Sequence, residues 1–432
     1  MRTLAEWLAL QESVHPKAID MGLARVSRVA QTLGVAQPAC PVITVGGTNG
    51  KGSTVAHLEA LLRAAGASTG MFTSPHFVRY NERIRIDGTE VQDDALLAAF
   101  ERIEQARGAI TLTFFEYNTL AALLIFAERR VQVAILEVGL GGRLDATNLV
   151  DANVAIVCSI GSDHRDWLGE SLEQIGAEKA GIFRPGRPAV LSTAEVPASV
   201  YSIIEQLGAR PVIAGRDYRW ELKGAAHRGE GTPAGADWSY QGIRLRAPDL
   251  PPSALAGSIQ YRNAAAAIAA IESLESRFVL SERSVQEGLR QVRLAGRFQV
   301  MQREGVEWIL DIAHNEPAAL VFAAQVRERR PPPSGRTFAI VGILSDKDAP
   351  EIVAALEPLV SDWVLCGLPG PRGGSAADLA RRVSVPLARV VQADSVQEGC
   401  EKVCKAAKPG DRILVFGSVY TVGPVLQWLR IY

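Results

Sequence analysis

Apolar residues in this chain come in short unbroken runs, set between longer stretches with helical spacing. Val42–Val45, Val133–Leu136, Val154–Ile160 and Ala189–Ser192 are four such runs, with little polar alternation. Strands buried on both faces read this way, and they belong to parallel sheets covered by helices on both sides. A second set begins near Phe298. Trp308–Asp311, Phe338–Leu344, Trp363–Cys366 and Ile413–Phe416 each precede a loop and a helical pattern. That predicts a second, smaller α/β domain, with the boundary near Leu294-Ala295-Gly296-Arg297. The expected domains are therefore 1–295 and 296–432.

Residues 215–255 break the pattern with Gly, Pro, Asp and Trp and short alternating pieces such as Trp238-Ser239-Tyr240. They predict a β-hairpin excursion on the first domain. Tyr261-Arg262-Asn263 then opens a very alanine-rich helix running to about Glu275. Pro331-Pro332-Pro333-Ser334-Gly335 reads as a surface loop inside the second domain. The N-terminal residues Met1 to Trp7 read as an amphipathic helix, since an early acid disfavours a signal peptide.

The most informative polar run interrupts the first set of strands. Gly46-Gly47-Thr48-Asn49-Gly50-Lys51-Gly52-Ser53-Thr54 follows the apolar run Val42–Val45 and precedes the helical run Val55–Leu62. Strand, glycine loop and helix together hold a polyphosphate. Glycines let backbone N–H groups turn inward, the helix N-terminus adds positive potential, and a lysine meets the outer phosphates. The loop departs from the general G-x-x-x-x-G-K-[ST] pattern. Val45 stands at the first glycine position, and Gly52 follows the lysine, with hydroxyls one place later at Ser53 and Thr54. The fold class is thus α/β: a P-loop parallel-sheet ATP-binding domain plus a smaller, Rossmann-like α/β C-terminal domain.

Composition adds limits. A chain of 432 residues supports two or three domains, and 47% hydrophobic with 22% charged residues is ordinary for a globular protein. The formal net charge of −1 gives no field favouring nucleic acid or an anionic membrane. No apolar run approaches the roughly 18 residues of a membrane span. Cys40, Cys158, Cys366, Cys400 and Cys404 form no C-x-x-C pair. Cys400 and Cys404 lie one helical turn apart and are expected to face the core. These features predict a reduced, cytoplasmic protein.

Other candidate groups sit at predicted strand ends. Glu137 ends the run Val133–Leu136, where a carboxylate facing a phosphate loop would hold Mg²⁺. His164, in Ser162-Asp163-His164-Arg165, ends another apolar run and is expected at the same metal. Imidazole suits Mn²⁺ better than Mg²⁺, so a site tolerant of Mn²⁺ is expected. Ser74 could add a hydroxyl oxygen, with His76 and Arg83 near the phosphates. Lys179 stands among apolar neighbours. Burial would favour its neutral amine, which can capture CO₂ as a carbamate, although a salt-bridged lysine is the plainer reading. Asp311 and His314 follow a second-domain strand, Arg297 lies in the linker, and Asn263 opens the alanine-rich helix.

Together these runs resemble the folylpolyglutamate synthases of the Mur ligase family, ATP-dependent amide ligases that join amino acids to carboxylates. The resemblance is narrower still to the bifunctional bacterial members, which also make dihydrofolate. It covers nearly the whole chain, with Ile19–Leu23, Gly47–Ser53, Ser74-Pro75-His76, Phe115-Glu116-Tyr117, Glu137–Asn148, Asp163-His164, Glu178–Phe183, Gly296-Arg297-Phe298, Asp311–Asn315, Asp346-Lys347-Asp348 and Gly417-Ser418 in family order. The resemblance implies that Gly50, Lys51, Gly52 and Ser53 hold ATP phosphates, with Asn263, Arg297, Asp311 and His314 as further ATP contacts. It implies Ser74, Glu137 and His164 as Mg²⁺ ligands and Lys179 as a carbamylated lysine. It implies a dihydropteroate site from Asp20, Met21 and Gly22, from Thr113, Phe114, Phe115 and Glu116, and from Leu144, Asp145 and Ala146. Two residues depart from the family pattern. Glu316 replaces the usual Pro after the His-Asn pair, and Tyr420 stands where some bifunctional members carry His.

The expected reaction is a two-step amide synthesis with Lys51, Glu137, His164 and Lys179 as its catalytic groups. A carboxylate of dihydropteroate or of a reduced folate attacks the γ-phosphate of ATP, and L-glutamate displaces the resulting acyl phosphate. The partners are these small molecules, with no nucleic acid and no membrane, and a monomer is expected. The alternative is polyglutamylation alone, without dihydrofolate synthesis. A peptidoglycan Mur ligase would carry a further domain ahead of the loop, and only about 45 residues precede it here. A regulatory NTP-binding module would need neither acceptor, and a dinucleotide oxidoreductase would need G-x-G-x-x-G spacing.

Overall fold

The computed structural model describes residues 2–17, 19–223, 235–274, 278–329, 335–386 and 389–432. Its first unit is built on β1 (Val42–Gly46), β2 (Thr69–Phe72), β3 (Ile84–Ile86), β4 (Thr89–Glu90), β5 (Val133–Glu137), β6 (Val154–Val157), β7 (Pro188–Leu191) and β8 (Arg210–Ile213). They form one sheet in the order β4-β3-β2-β5-β1-β6-β7-β8. The pairs from β2 through β8 are parallel, whereas β3 and β4 join antiparallel at one edge.

Every residue of β1, β2, β5, β6 and β7 is buried, which is why their sequences carry no polar alternation. β6 stops at Val157, short of the expected Ile160. Beyond it the chain turns, and Ser159 offers its carbonyl to the Thr48 N–H at 2.8 Å. β2 and β8 were not apparent as apolar runs, because Gly70 interrupts one and Pro211 the other.

The helix Lys51–Ala64 leaves the C-terminal end of β1 with Gly52 through Leu62 all buried. It is enclosed on all sides and carries Ser53, Thr54, His57 and Glu59 into the interior among its apolar residues. The helix Phe114–Arg129 is similar. It starts with a capping box, in which Thr113 and Glu116 each bond the other's backbone N–H.

In place of the expected hairpin, residues after Ile213 build a three-stranded antiparallel sheet from β9 (Arg219–Leu222), β10 (Trp238–Gln241) and β11 (Arg246–Leu250). β10 alternates buried and half-buried residues. Its Trp238 meets Tyr261 edge-on at 5.7 Å, and Tyr240 donates to Glu272 at 2.6 Å. Both contacts fall on the alanine-rich helix Ile259–Ser273, whose Ala264–Ala267, Ala269 and Ala270 are fully buried. The expected helix end at Glu275 and the loop Pro331–Ser334 lie outside the described residues.

The second unit contains β12 (Gln299–Arg303), β13 (Val306–Leu310), β14 (Thr337–Val341), β15 (Asp362–Cys366), β16 (Val390–Ala393) and β17 (Arg412–Phe416), in the order β12-β13-β17-β14-β15-β16. Only β12 pairs antiparallel. Phe298, Phe322, Trp363 and Phe416 fill its core. By contacts, the first unit comprises Met1–Lys223, Asp237–Pro252 and Tyr261–Val292, and the second includes Ser253–Gln260 and Arg293–Tyr432.

One expectation about the second unit fails. Cys400 is buried but Cys404 is exposed, because Val403 takes the core-facing place on that turn. Among the described residues no helix is long and apolar enough to cross a membrane.

Candidate active site

The glycine loop Gly47–Gly50 connects β1 to the helix Lys51–Ala64. Gly50 caps that helix at φ 90°, a left-handed conformation that a side chain would strain. A Cβ there would also meet Asn263 Oδ1 at 3.1 Å, so the alanine-rich helix lies directly against the loop. Thr48 is bonded to Gly161, and Asn49 N–H donates to Ser159 Oγ at 3.0 Å. Lys51 Nζ donates to the carbonyls of Gly47 at 3.0 Å and Thr48 at 3.1 Å, curled over the loop. The first N–H groups of a 14-residue helix and an ammonium group thus share one end of the sheet.

Glu137 ends β5 opposite Val45, one strand away from the loop. It is 2% exposed. Its Oε2 accepts the Thr73 hydroxyl and the Ser74 N–H, the latter at 3.3 Å. Ser74 therefore reaches Glu137 through its backbone, and Thr73 is a partner the sequence reading missed. His164 joins less directly. It sits at φ 53° beside Asp163, and the segment Ser159–Gly161 ahead of it is the one bonded to the loop. Among the described residues no three His, Cys, Asp or Glu side chains gather as a metal cluster. In donor chemistry alone, the buried Glu137 carboxylate is an oxygen ligand of the kind Mg²⁺ takes, and the His164 imidazole is one that suits Mn²⁺ better.

Lys179 is 4% exposed and donates to the Gly47 carbonyl at 3.2 Å, the same oxygen that accepts Lys51. The salt-bridge expectation is overturned. Among the described residues its one hydrogen-bond partner is this backbone carbonyl, and Asp163 and Asp145 act on it only through their charge. Burial, helped by the nearby Lys51 ammonium, pushes the Lys179 amine down to about 7. Gly142 lets the loop after Glu137 lie against the backbone of this helix end, because a Cβ there would lie 2.6 Å from the Glu178 carbonyl and 2.8 Å from that of Lys179.

The three segments expected around dihydropteroate meet in the same unit. Asp20 is bonded to Arg25, and Arg25 in turn bonds Glu116. Phe115 packs against Gly139, where a Cβ would lie 2.6 Å from its ring, and Met21 Cε approaches Gly141. Phe114, Phe115, Met21, Gly22 and Leu144 are half-buried, whereas Thr113, Glu116, Asp145 and Ala146 are buried. Asp145 holds the turn after Glu137 by accepting the N–H groups of Gly139, Leu140 and Thr147 and the Thr147 hydroxyl. Burial raises its carboxyl above the ordinary value against the pull of these donors.

His76 and Arg83, expected near phosphates, are bonded to each other at 2.7 Å, and the Arg83 guanidinium lies over Tyr80 and Phe114. They border the aromatic side of this cluster. Neither Arg25 nor Thr73 carried a sequence signal, since each acts through a residue distant in the chain.

In the second unit Asp311 follows β13 and is half-buried; burial raises its carboxyl above the ordinary value, while Arg297 and His314 oppose that rise. It accepts the N–H groups of Phe298 at 2.8 Å and Ala313 at 2.9 Å. Both donors have positive φ, 45° and 28°, an uncommon conformation for side-chain-bearing residues and one that gathers at functional sites. Arg297, Asp311 and His314 therefore form one group. Asn315 caps the helix Glu316–Glu328, where Glu316 occupies a favourable first-turn position. Tyr420 is 52% exposed just after the cap residue Ser418.

A nucleotide-type loop, a strand-end carboxylate and two α/β units together define an ATP-dependent ligase of the Mur type. The Mur ligase middle domain matches residues 45–271, and the Mur ligase glutamate ligase domain matches residues 296–419. The chain belongs to the Mur ligase family, in its dihydrofolate synthase/folylpolyglutamate synthase branch. It is 42% identical over 424 residues to the dihydrofolate synthase/folylpolyglutamate synthase of Escherichia coli K12, covering 98% of this chain and 95% of that protein. The Haemophilus influenzae protein of the same name is 37% identical, with 97% and 96% covered. Among solved structures, E. coli FolC in complex with DHPP and ADP superposes with a TM-score of 0.90 at 41% identity, covering 100% of this chain and 98% of that one. The Yersinia pestis bifunctional enzyme complexed with AMPPNP and Mn ion gives 0.89 at 39%, with the same coverage.

Proposed function

We propose that this chain uses ATP to join L-glutamate to dihydropteroate, giving dihydrofolate, and to reduced folates, giving folylpolyglutamates. The observation that carries this reading is the stretch from Glu137 to Asp145. It begins at the carboxylate beside the phosphate loop and runs through Gly139, which meets Phe115, and Gly141, which Met21 approaches, to Asp145, which holds the turn. A phosphate-side group and an acceptor-side cluster thus share one loop.

In the reaction the acceptor carboxylate attacks the γ-phosphorus of ATP. The bond to ADP breaks and an acyl phosphate forms. The α-amine of glutamate then attacks the acyl carbon, inorganic phosphate leaves, and the amine gives up a proton. Lys51 and the N–H groups of Gly50, Gly52 and Ser53 meet the phosphate charge that develops. Asn263 supports the nucleotide from the alanine-rich helix, and Arg297, Asp311 and His314 are read as further ATP contacts on the resemblance to the family. Ser74, Glu137 and His164 would hold the divalent ion, which when bound adds positive charge against the phosphates. Phe114 and Phe115 suit the flat pterin ring.

Lys179 is read as carbamylated. The ammonium first gives up one proton, and the neutral nitrogen then adds to CO₂ and gives up a second, so that a cation beside Lys51 becomes an anion and their repulsion is relieved. The chain is taken as a monomer, because one chain supplies all of these groups.

The test is phosphate release from ATP with purified protein, L-glutamate and either dihydropteroate or a reduced folate. Both acceptors should support release. Release with folate alone would leave polyglutamylation only. Release needing neither acceptor would point to an NTP-binding module.

A further inference from the structure

Glu116 lies 91 residues along the chain from Arg25 and Asp20 only five, yet the Arg25 guanidinium holds both. Arg25 Nη1 donates to Asp20 Oδ2 at 2.5 Å, and Nη2 donates to the Asp20 carbonyl at 3.0 Å and to Glu116 Oε1 at 3.2 Å. The other oxygen of Glu116 accepts the Thr113 N–H at 2.7 Å, inside the capping box that starts the helix Phe114–Arg129. His15 adds a contact from the remaining side, with Nε2 at 3.4 Å from Asp20 Oδ2. The His15 ring is itself fixed at Nδ1, which accepts the Lys17 N–H at 3.1 Å. A chain of partners thus runs His15, Asp20, Arg25, Glu116, Thr113.

The two acids differ in access. The Asp20 side chain is 25% exposed, and that of Glu116 is 4% exposed. Glu116 is therefore the anchor and Asp20 the acid that can meet a ligand. Arg25 carries a cost for this arrangement, since its Nε–H is buried with no hydrogen-bond partner among the described residues. The fork geometry of a guanidinium is what lets one side chain hold two acids at fixed separation.

We infer that Arg25 is a positioning residue for the pterin end of the acceptor: it locks the Asp20 carboxylate to the start of the helix Phe114–Arg129, beside Phe114 and Phe115. The inference rests on the acceptor reading above. The fused 2-amino-4-oxopyrimidine ring of dihydropteroate presents adjacent N–H donors along one edge. A carboxylate held in one orientation accepts such a pair, whereas a mobile one loses affinity through the freedom it must give up. Arg25 touches neither the glycine loop nor Glu137, so its influence should fall on acceptor binding and not on the phosphoryl step.

The experiment compares Arg25→Met, Arg25→Lys and Glu116→Gln with the unaltered protein. Steady-state kinetics and equilibrium titration with 7,8-dihydropteroate are measured for each. Arg25→Met should raise KM and Kd for dihydropteroate by about 10- to 100-fold, with kcat and the KM for ATP within about 2-fold. Arg25→Lys should recover only part of the loss, since an ammonium lacks the fork. Asp20→Asn combined with Arg25→Met should be no worse than the poorer single variant by more than about 2-fold, as expected of residues acting in one chain.

Unchanged dihydropteroate affinity in Arg25→Met overturns the inference, as does an equal rise in the KM for ATP. Should Arg25→Met not fold, Glu116→Gln weakens the same link, because one amide oxygen cannot serve both Arg25 and the Thr113 N–H, and it must raise the KM for dihydropteroate in the same direction. Failure of the unaltered protein to turn over dihydropteroate it nonetheless binds would sink the functional reading, while the Kd ratios would still decide the role of Arg25. Absence of any dihydropteroate binding by the unaltered protein sinks both.

Discussion

Around Gly47–Ser53 the polar partners are mostly backbone groups. Lys51 and Lys179 both end on the Gly47 carbonyl, and Thr48 and Asn49 are tied to the Ser159–Gly161 chain. Around Asp20 and Glu116 the partners are side chains, reached across long sequence separations through Arg25 and His15. The first region can be altered by adding a single Cβ or removing one cation. The second can be tuned piece by piece. A site that must meet triphosphate in every turnover is built from the invariant part of the polymer. A site that must choose among pterin acceptors is built from the variable part.

The largest expected effect breaks the first region. Lys51→Ala removes the cation that meets the transferring phosphoryl group, and turnover with either acceptor should fall by about 10³-fold or more. The thermal midpoint without nucleotide should stay close to that of the unaltered protein, because Lys51 is bonded only to loop carbonyls. Equal loss with dihydropteroate and with folate would show that both acceptors share this region. Unchanged turnover would remove Lys51 from the mechanism.

Lys179 sharpens the comparison, because it is a side chain in the backbone-built region. Lys179→Met should lower kcat by about 10- to 100-fold. The unaltered protein should also respond to CO₂. Its folded-state amine titrates near 7, far below the unfolded lysine, so the neutral form grows as pH rises through that value. One unit below, about a tenth of the amine is neutral. At fixed dissolved CO₂, activity should therefore climb from pH 6 to pH 8, and Lys179→Met should lose that climb. A rate indifferent to CO₂ removal after long dialysis would argue against the carbamate.

The same contrast explains what could be read from the sequence. The glycine loop was legible because strand, turn and helix N-terminus are contiguous, and glycine at Gly50 is demanded by its backbone angle. Glu137 was legible as the last residue of a buried apolar run. Arg25 and Thr73 were not, since their partners lie far along the chain and no periodicity marks them. The sheet excursion after Ile213 was recognised but read with too few strands. β9, β10 and β11 are each four or five residues long, and β10 pairs with both of the others, with an irregular register against β11. The Lys179 environment could not be read either. Whether a lysine faces a carboxylate or another ammonium depends on which loops the sheet order brings together.

The smallest expected effect probes the loop that joins the two regions. Asp145 uses both oxygens, Oδ2 for the N–H groups of Gly139 and Leu140 at 3.0 and 2.9 Å, and Oδ1 for Thr147. Asp145→Asn keeps one acceptor oxygen and turns the other into an NH₂ group, so one pair of donors is left facing a donor. Leaving buried donors unmet costs about 1–3 kcal/mol, which chemical denaturation should read as a lower midpoint with an unchanged slope. The turn it supports lies beside Phe115 through Gly139, so the KM for dihydropteroate should rise by about 3- to 10-fold, in line with an indirect contact. The KM for ATP should move less, because the glycine loop is held by Ser159 and Gly161 and not by Asp145. If both constants rose together, the stretch from Glu137 to Asp145 would be acting as a single rigid piece, and the two regions would no longer be separable by substitution.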